Sequence, residues 1–216
     1  PVAVGYAIAC ANWPDLMFRF PQPMTRLPLY DLSQVPLIDG ADMALRNGGL
    51  PSVSSLDLLL GNFTGPMGST CVLVILACGL LLALRKDLDL VSSCSFLAAC
   101  AVFVWLFPRL GGVSFGLPWQ NLGVRLTMLR YELVANSVIF SAVFLLSEPV
   151  TRPKTRQSRI IYGVCLGVLT MLLKYHGSRE TGVAFALIIM NALSSWLDRA
   201  VMLLTARKEA RRLENR

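Results

Sequence analysis

The feature that most limits how this chain can fold is a series of uncharged apolar blocks. Residues 71–84, 91–107, 133–146 and 160–173 contain no Asp, Glu, Lys or Arg, and 181–198 contains only Asp198. Charged or turn-forming residues bound each block. The blocks are 14 to 18 residues long, somewhat short of the roughly 20 needed to cross a bilayer. One such block would be a buried core helix. Five of them in a chain that is 15% charged, where a soluble domain has about 25%, leave too little polar sequence to cover them. The blocks therefore predict an all-α polytopic membrane protein, with flanking Ser, Thr, Tyr and Trp residues extending each helix toward spanning length.

Pro1 to Ala11 reads as the end of a further span. The expected count is then six: 1–11, 70–84, 91–107, 131–146, 159–174 and 181–198. They form a single membrane domain over 1–216, expected to be the C-terminal part of a longer subunit. Two long connections interrupt them, 12–69 and 108–130, both rich in Gly and Pro; loops of such length usually carry function. Within the first, Val53 to Leu60 predicts a short re-entrant or interfacial helix, with Ser54 or Ser55 as N-cap and Gly61 as its stop.

Basic residues accumulate next to cytoplasmic membrane ends. Arg85, Lys86, Arg152, Lys154, Arg156, Arg159 and the tail residues Arg199, Arg207, Lys208, Arg211, Arg212 and Arg216 fall on one side, 12 of the 20 Lys and Arg. The other 8 are spread over much longer loops. The first side is expected to be cytoplasmic, with 12–69 and 108–130 facing outward. The tail 199–216 is expected to lie as a basic amphipathic helix on anionic headgroups. The net charge of +7 is thus topological. It does not form an aromatic-laced surface of the kind that binds nucleic acid.

All six cysteines lie in apolar segments, none in a C-x-x-C pair, and His176 is the single histidine. A metal centre built within this chain is not expected; the cysteines read as small hydrophobes. His176 reads as a solvated residue of the outward turn 174–177. Glu132 and Glu148 stand at span ends and Asp198 at a helix exit. The spans thus hold no mid-membrane carboxylate, and a complete ion path within this chain is not expected.

Three stretches depart from generic spans. In the first, Gly61-Asn62-Phe63-Thr64-Gly65-Pro66-Met67-Gly68-Ser69-Thr70, an irregular backbone leads into a helix N-terminus. Free N–H groups there suit an anion or an electron-rich ring edge, while a plain membrane-entry turn capped by Ser69 accounts for the same residues. In the second, Ser147-Glu148-Pro149-Val150-Thr151-Arg152-Pro153, Glu148 is placed either to meet a ligand or to pair with Arg152. In the third, 182–192, Gly182, Ala186 and Met190 share a face that allows close helix packing. Asn191 there needs a polar partner at membrane depth.

These stretches, in this order and spacing, resemble the D subunit of the Rnf electron-transport complex and its relative, the B subunit of the sodium-pumping NADH:quinone oxidoreductase. The closest stretch is SEPVTRPKTRQSRIIYGVCLGVLTMLLKYHGSRETGVAFALIIMNAL, residues 147–193. Pro1 to Tyr6 and Phe20 to Leu27 are also similar. The resemblance implies a subunit of a bacterial or archaeal inner-membrane ion pump that holds flavin and relays electrons between partner subunits. It implies cofactor contacts at Gly61, Asn62, Gly65, Gly68, Ser69, Thr70, Glu148, Thr151 and Asn191.

The family attaches FMN to a Thr through a phosphoester, and the matching place here is Ile38-Asp39-Gly40-Ala41-Asp42-Met43-Ala44-Leu45. No Ser or Thr occurs between Ser33 and Ser52. A phosphoester needs a hydroxyl, so covalent flavin is excluded at this spot, and FMN or riboflavin is expected to be held non-covalently if at all. The family's Glu is replaced by Ser69, its Gly pair by Ala135-Asn136, and its Asp by Glu148. Besides a flavin-associated subunit, two readings stay open. One is a channel or transporter, since broken helices also build substrate sites. The other is a structural subunit that anchors redox-active neighbours.

Overall fold

The computed structural model describes residues 2–23, 36–66, 68–109, 121–135, 137–148, 153–177 and 182–214. Ten helices account for most of these residues: α1 (Val2–Asn12), α2 (Pro14–Met17), α3 (Ala41–Arg46), α4 (Ser55–Leu60), α5 (Val72–Leu84), α6 (Leu90–Leu106), α7 (Leu122–Val134), α8 (Val138–Phe140), α9 (Arg156–His176) and α10 (Gly182–Glu214). Helix α8 runs on into a π-helical turn, Ser141–Leu145. The fold is not purely α. Strands β1 (Arg19–Pro21) and β2 (Leu37–Asp39) pair antiparallel, with Phe20 opposite Ile38.

Of the six expected spans, α9 and the 182–207 part of α10 are long and apolar enough to cross a membrane. Helix α7 and the 138–145 segment make a third if they are one span bent by 56°. The remaining three are apolar helices of 11, 13 and 17 residues, α1, α5 and α6. Leu73, Leu76, Leu80 and Leu84 on α5, and Phe185, Ile189, Leu193 and Trp196 on α10, all point outward. Rows of this kind suit a hydrocarbon surrounding and not water.

The centre of the fold is the pair α6–α9, which run parallel. Gly163 and Gly167 are one turn apart on α9 and lie directly on α6. A Cβ at Gly163 would stand 2.6 Å from the Ser92 carbonyl oxygen, and one at Gly167 2.8 Å from Ala99 Cβ. Only hydrogen fits at either place, which is how small residues let membrane helices close up. Arg159 meets Asp89 at 3.5 Å at one end of the pair, and Arg109 donates to the Tyr175 carbonyl (2.7 Å) at the other. Helix α10 returns antiparallel along α9. Gly182 is so close that a Cβ would lie 2.4 Å from the Thr170 carbonyl oxygen, and the Lys154 amide donates to Asp198 (3.1 Å). Phe96, Leu166, Met171, Ala186 and Met190 fill the space between these helices.

The connection 12–69 is folded where it is described. Ser54 Oγ accepts from the Asp57 amide (3.2 Å) and caps α4. Gly61 ends α4 in the left-handed region, φ 85°, where a side chain would also strike Cys71. Helix α4 thus forms with the cap and stop expected of it. Leu45 from α3, Leu58 from α4 and Phe63 pack on Met128 and Tyr131 of α7, and the Tyr131 hydroxyl donates to the Val53 carbonyl (2.7 Å).

Four expectations need correction. The second connection does not extend to 130, because α7 begins at Leu122. Arg125 and Glu132 are buried on its inward face, so Arg125, which reads as loop, and Glu132, which reads as a span end, both belong to a packed helix. Lys174 and His176 are in the last turn of α9, not in an outward turn, and Lys174 is buried. Helix α5 begins at Val72 with Cys71 as N-cap, so Ser69 is not its cap. Finally, the tail is helical as expected, but α10 runs unbroken to Glu214, so Asp198 is inside the helix and not at its exit.

Candidate functional site

The first Gly-rich stretch divides into two parts. Gly61 and Asn62 serve α4: the Asn62 amide donates to Asp57 Oδ1 (3.2 Å), and Gly61 is its cap. Ser54 Oγ also donates to Asp57 Oδ2 (2.7 Å). These two donors hold the exposed Asp57 carboxyl below its ordinary pKa, Ser54 being the stronger cause and Asn62 the second. Gly65 and Thr70 pack on one another, since a Cβ at Gly65 would stand 2.9 Å from Thr70 Cγ2. Gly68 takes a left-handed turn, φ 81°.

Of this stretch, Pro66 and Ser69 reach a cavity whose other walls come from α1, the 137–145 segment and the start of α10. The Ser69 hydroxyl donates to the Pro66 carbonyl (2.9 Å) and accepts from Ser137 Oγ (2.8 Å). Ser137 stands at the break between α7 and α8, with φ 53°. These hydroxyls and that of Ser141 line a cavity of about 160 Å³, closed by Tyr6, Phe140 and Val183.

Glu148 and Asn191 meet in a second, larger cleft of about 610 Å³. Its walls are mostly apolar, from α1, the 138–145 segment and α10, and Val2, Ala3 and Leu145 border both cavities. Asn191 is tied to α9 by a 2.6 Å hydrogen bond from the Tyr162 hydroxyl to its side-chain carbonyl. That bond supplies the partner expected at membrane depth. Asp87, in the turn after α5, adds a second carboxylate to the cleft. Nothing in the sequence marks Asp87 out, because an acidic residue in a polar turn looks like any solvated one. Thr151 and Arg152 lie outside the described residues, as does the pairing considered between Arg152 and Glu148.

The place corresponding to covalent flavin attachment is β2, Gly40 and α3. Gly40 is the N-cap of α3 with extended backbone, and Leu45 is buried beneath it. The described residues hold no group of three or more His, Cys, Asp or Glu arranged for a metal ion. The chemistry open to this chain is therefore that of the cleft: an apolar slot of ligand size, carboxylates at Glu148 and Asp87, and the Asn191 amide.

The profile of the NQR2, RnfD, RnfE family matches residues 1–205. The D subunit of a proton-translocating ferredoxin:NAD(+) oxidoreductase complex from Clostridium ljungdahlii is 23% identical over 207 residues, covering 92% of this chain. The D subunit of an ion-translocating oxidoreductase complex from Pseudomonas aeruginosa is 27% identical over 216 residues, again 92% of this chain. Its counterpart of the same description from Yersinia enterocolitica is 29% identical over 173 residues, covering 78% of this chain and 45% of its own length. The chain spans 58% of the length of the Clostridium and Pseudomonas relatives.

Proposed function

Because the chain belongs to the NQR2, RnfD, RnfE family, we propose that it serves as a membrane subunit of an ion-translocating electron-transport complex and holds a flavin non-covalently as a relay between partner subunits. The observation that carries the reading is the family match over residues 1–205, together with relatives described as subunits of such complexes. Partner subunits follow from that membership. The location proposed is a bacterial or archaeal inner membrane, with the basic end of α10 on the cytoplasmic side and the 12–69 connection outside.

The cleft supports one flavin over the other. Its volume lies within the range of small-molecule sites, and its apolar walls suit a fused ring. Its ionisable lining is acidic, Glu148 and Asp87. The phosphate of FMN would face two like charges there, whereas the hydroxyls of riboflavin can donate to both carboxylates. Asn191 adds hydrogen-bonding capacity for the ring's polar edge. A flavin bound there would supply one- and two-electron transfer. The residues of the chain would orient it and keep water from it.

The test is purification of the intact complex from its native membrane, followed by denaturation. Free riboflavin in the supernatant, and no fluorescent band at this subunit's mass, is the expected result. A fluorescent band would contradict non-covalent binding. Absence of any flavin attributable to this subunit would favour the scaffold reading, which the missing hydroxyl between Ser33 and Ser52 also supports.

A further inference from the structure

Besides Asp89, three charged side chains are buried among α6, α7 and α9 and line neither cavity: Arg125 at 1% exposure, Glu132 at 1% and Lys174 at 4%. The Lys174 ammonium donates to Glu132 Oε2. The Arg125 guanidinium donates to the Trp105 carbonyl at the end of α6. A carboxylate so deeply placed is stable only with a counter-charge. The identity of that counter-charge is informative. Arginine offers a planar fork matched to both carboxylate oxygens, whereas lysine presents a compact point charge. An ammonium is the side-chain group nearest in size and charge to a dehydrated alkali cation.

The position also suits a cation. Glu132 is in the last turn of α7, at the negative end of that helix's dipole and shortly before the left-handed Ser137, where the span breaks. Interrupted helices are where membrane proteins hold ions. One turn before Lys174 on α9, Thr170 is 1% exposed, and its hydroxyl has no hydrogen-bond partner among the described residues. Four residues apart, Thr170 and Lys174 share one side of α9, and this oxygen is free to serve a smaller ion seated near the ammonium's place.

We propose that Lys174 is a tethered cation: its ammonium fills a monovalent-cation seat on Glu132, and a chain lacking that ammonium would take an alkali cation in its place. Arg125, two turns from Glu132 on the same face of α7, is the competing counter-charge. The proposal is independent of whether the protein holds flavin.

The experiment uses the whole protein in detergent or nanodiscs. Thermal unfolding is followed in NaCl, KCl, LiCl and choline chloride at one ionic strength, for wild type, Lys174→Ala and the double variant Glu132→Gln/Lys174→Met. Wild type and the double variant should unfold at a temperature that does not depend on the cation. Lys174→Ala should unfold earlier in choline and be raised by about 5 °C, saturably, by at least one alkali cation. The proposal is overturned if Lys174→Ala matches wild type in choline, which would mean that Arg125 has taken over the charge. It is equally overturned if Lys174→Ala stays destabilised in every salt, or cannot be recovered folded in any alkali salt. Loss of both variants overturns it too, because a seat defined by charge should accept neutral side chains of similar size.

Discussion

The Tyr162 hydroxyl donates to the Asn191 side-chain carbonyl at 2.6 Å, and this bond joins α9 to α10 at the wall of the larger cleft. Tyr162→Phe removes the donor and leaves the Asn191 carbonyl without it. The expected loss is about 1 kcal/mol of stability, read as a lower unfolding temperature of the detergent-solubilised protein. The double variant Tyr162→Phe/Asn191→Leu should recover part of that loss, because no polar group is then left unmatched. A single variant as stable as wild type would show that the bond contributes nothing.

The contact of α9 on α6 predicts a steep dependence on side-chain size. Gly167→Ala places a methyl 2.8 Å from Ala99 Cβ and 2.9 Å from the Phe96 carbonyl oxygen, so the helices must separate. A cost of about 1–3 kcal/mol is expected, with Gly167→Leu worse still. The single mutants Leu172→Ala and Val164→Ala, on the exposed side of α9, should be near neutral. Equal effects on the two faces would contradict the close approach.

Asp57 supplies a pH dependence to the 12–69 connection. Its carboxyl is held below the ordinary value by Ser54 and Asn62. The folded form therefore keeps the charged carboxylate to lower pH than the unfolded chain does. The resulting stabilisation of α4 is complete above the usual carboxylate range, near pH 4, and disappears as pH falls through the lowered folded value. Asp57→Asn should flatten this acid limb. Hydrogen exchange of the α4 amides as a function of pH measures it, and an identical acid limb in the variant would sink the idea.

Flavin selectivity tests the cleft. Added to flavin-free protein, riboflavin should bind more tightly than FMN by roughly tenfold or more, equivalent to about 1.4 kcal/mol. Glu148→Gln should narrow that ratio by weakening the repulsion of the phosphate. FMN binding as tightly as riboflavin to wild type would remove the case for the two carboxylates.

Local signals make some of this architecture readable in the sequence. Ser54 and Gly61 bracket α4 by cap and left-handed stop, and both are short-range chemistry. Helix α9 follows from a long apolar run preceded by Thr155, whose hydroxyl accepts from the Ser158 amide (3.1 Å). The start of α7 is hidden by the same residues that define its buried face. Arg125 and Glu132 interrupt the apolar pattern, and only partners on α6 and α9 make their burial tolerable. Lys174 reads as a loop residue for the same reason. The three-residue strands β1 and β2 are too short for any periodicity, and their pairing is a tertiary event. Glu148 and Asn191 stand out singly, 43 positions apart, but no local pattern places them in one cleft with Asp87.

The unbroken course of α10 has a mechanical consequence. At 1.5 Å per residue its 33 residues extend about 50 Å, against a hydrocarbon layer of about 30 Å. One helix thus begins against Thr170 and Lys174 and is about 20 Å longer than that layer is thick. Without a hinge among its described residues, it is a stiff rod. A tilt imposed where Gly182 meets α9 would therefore also displace the far end of α10, at Glu214.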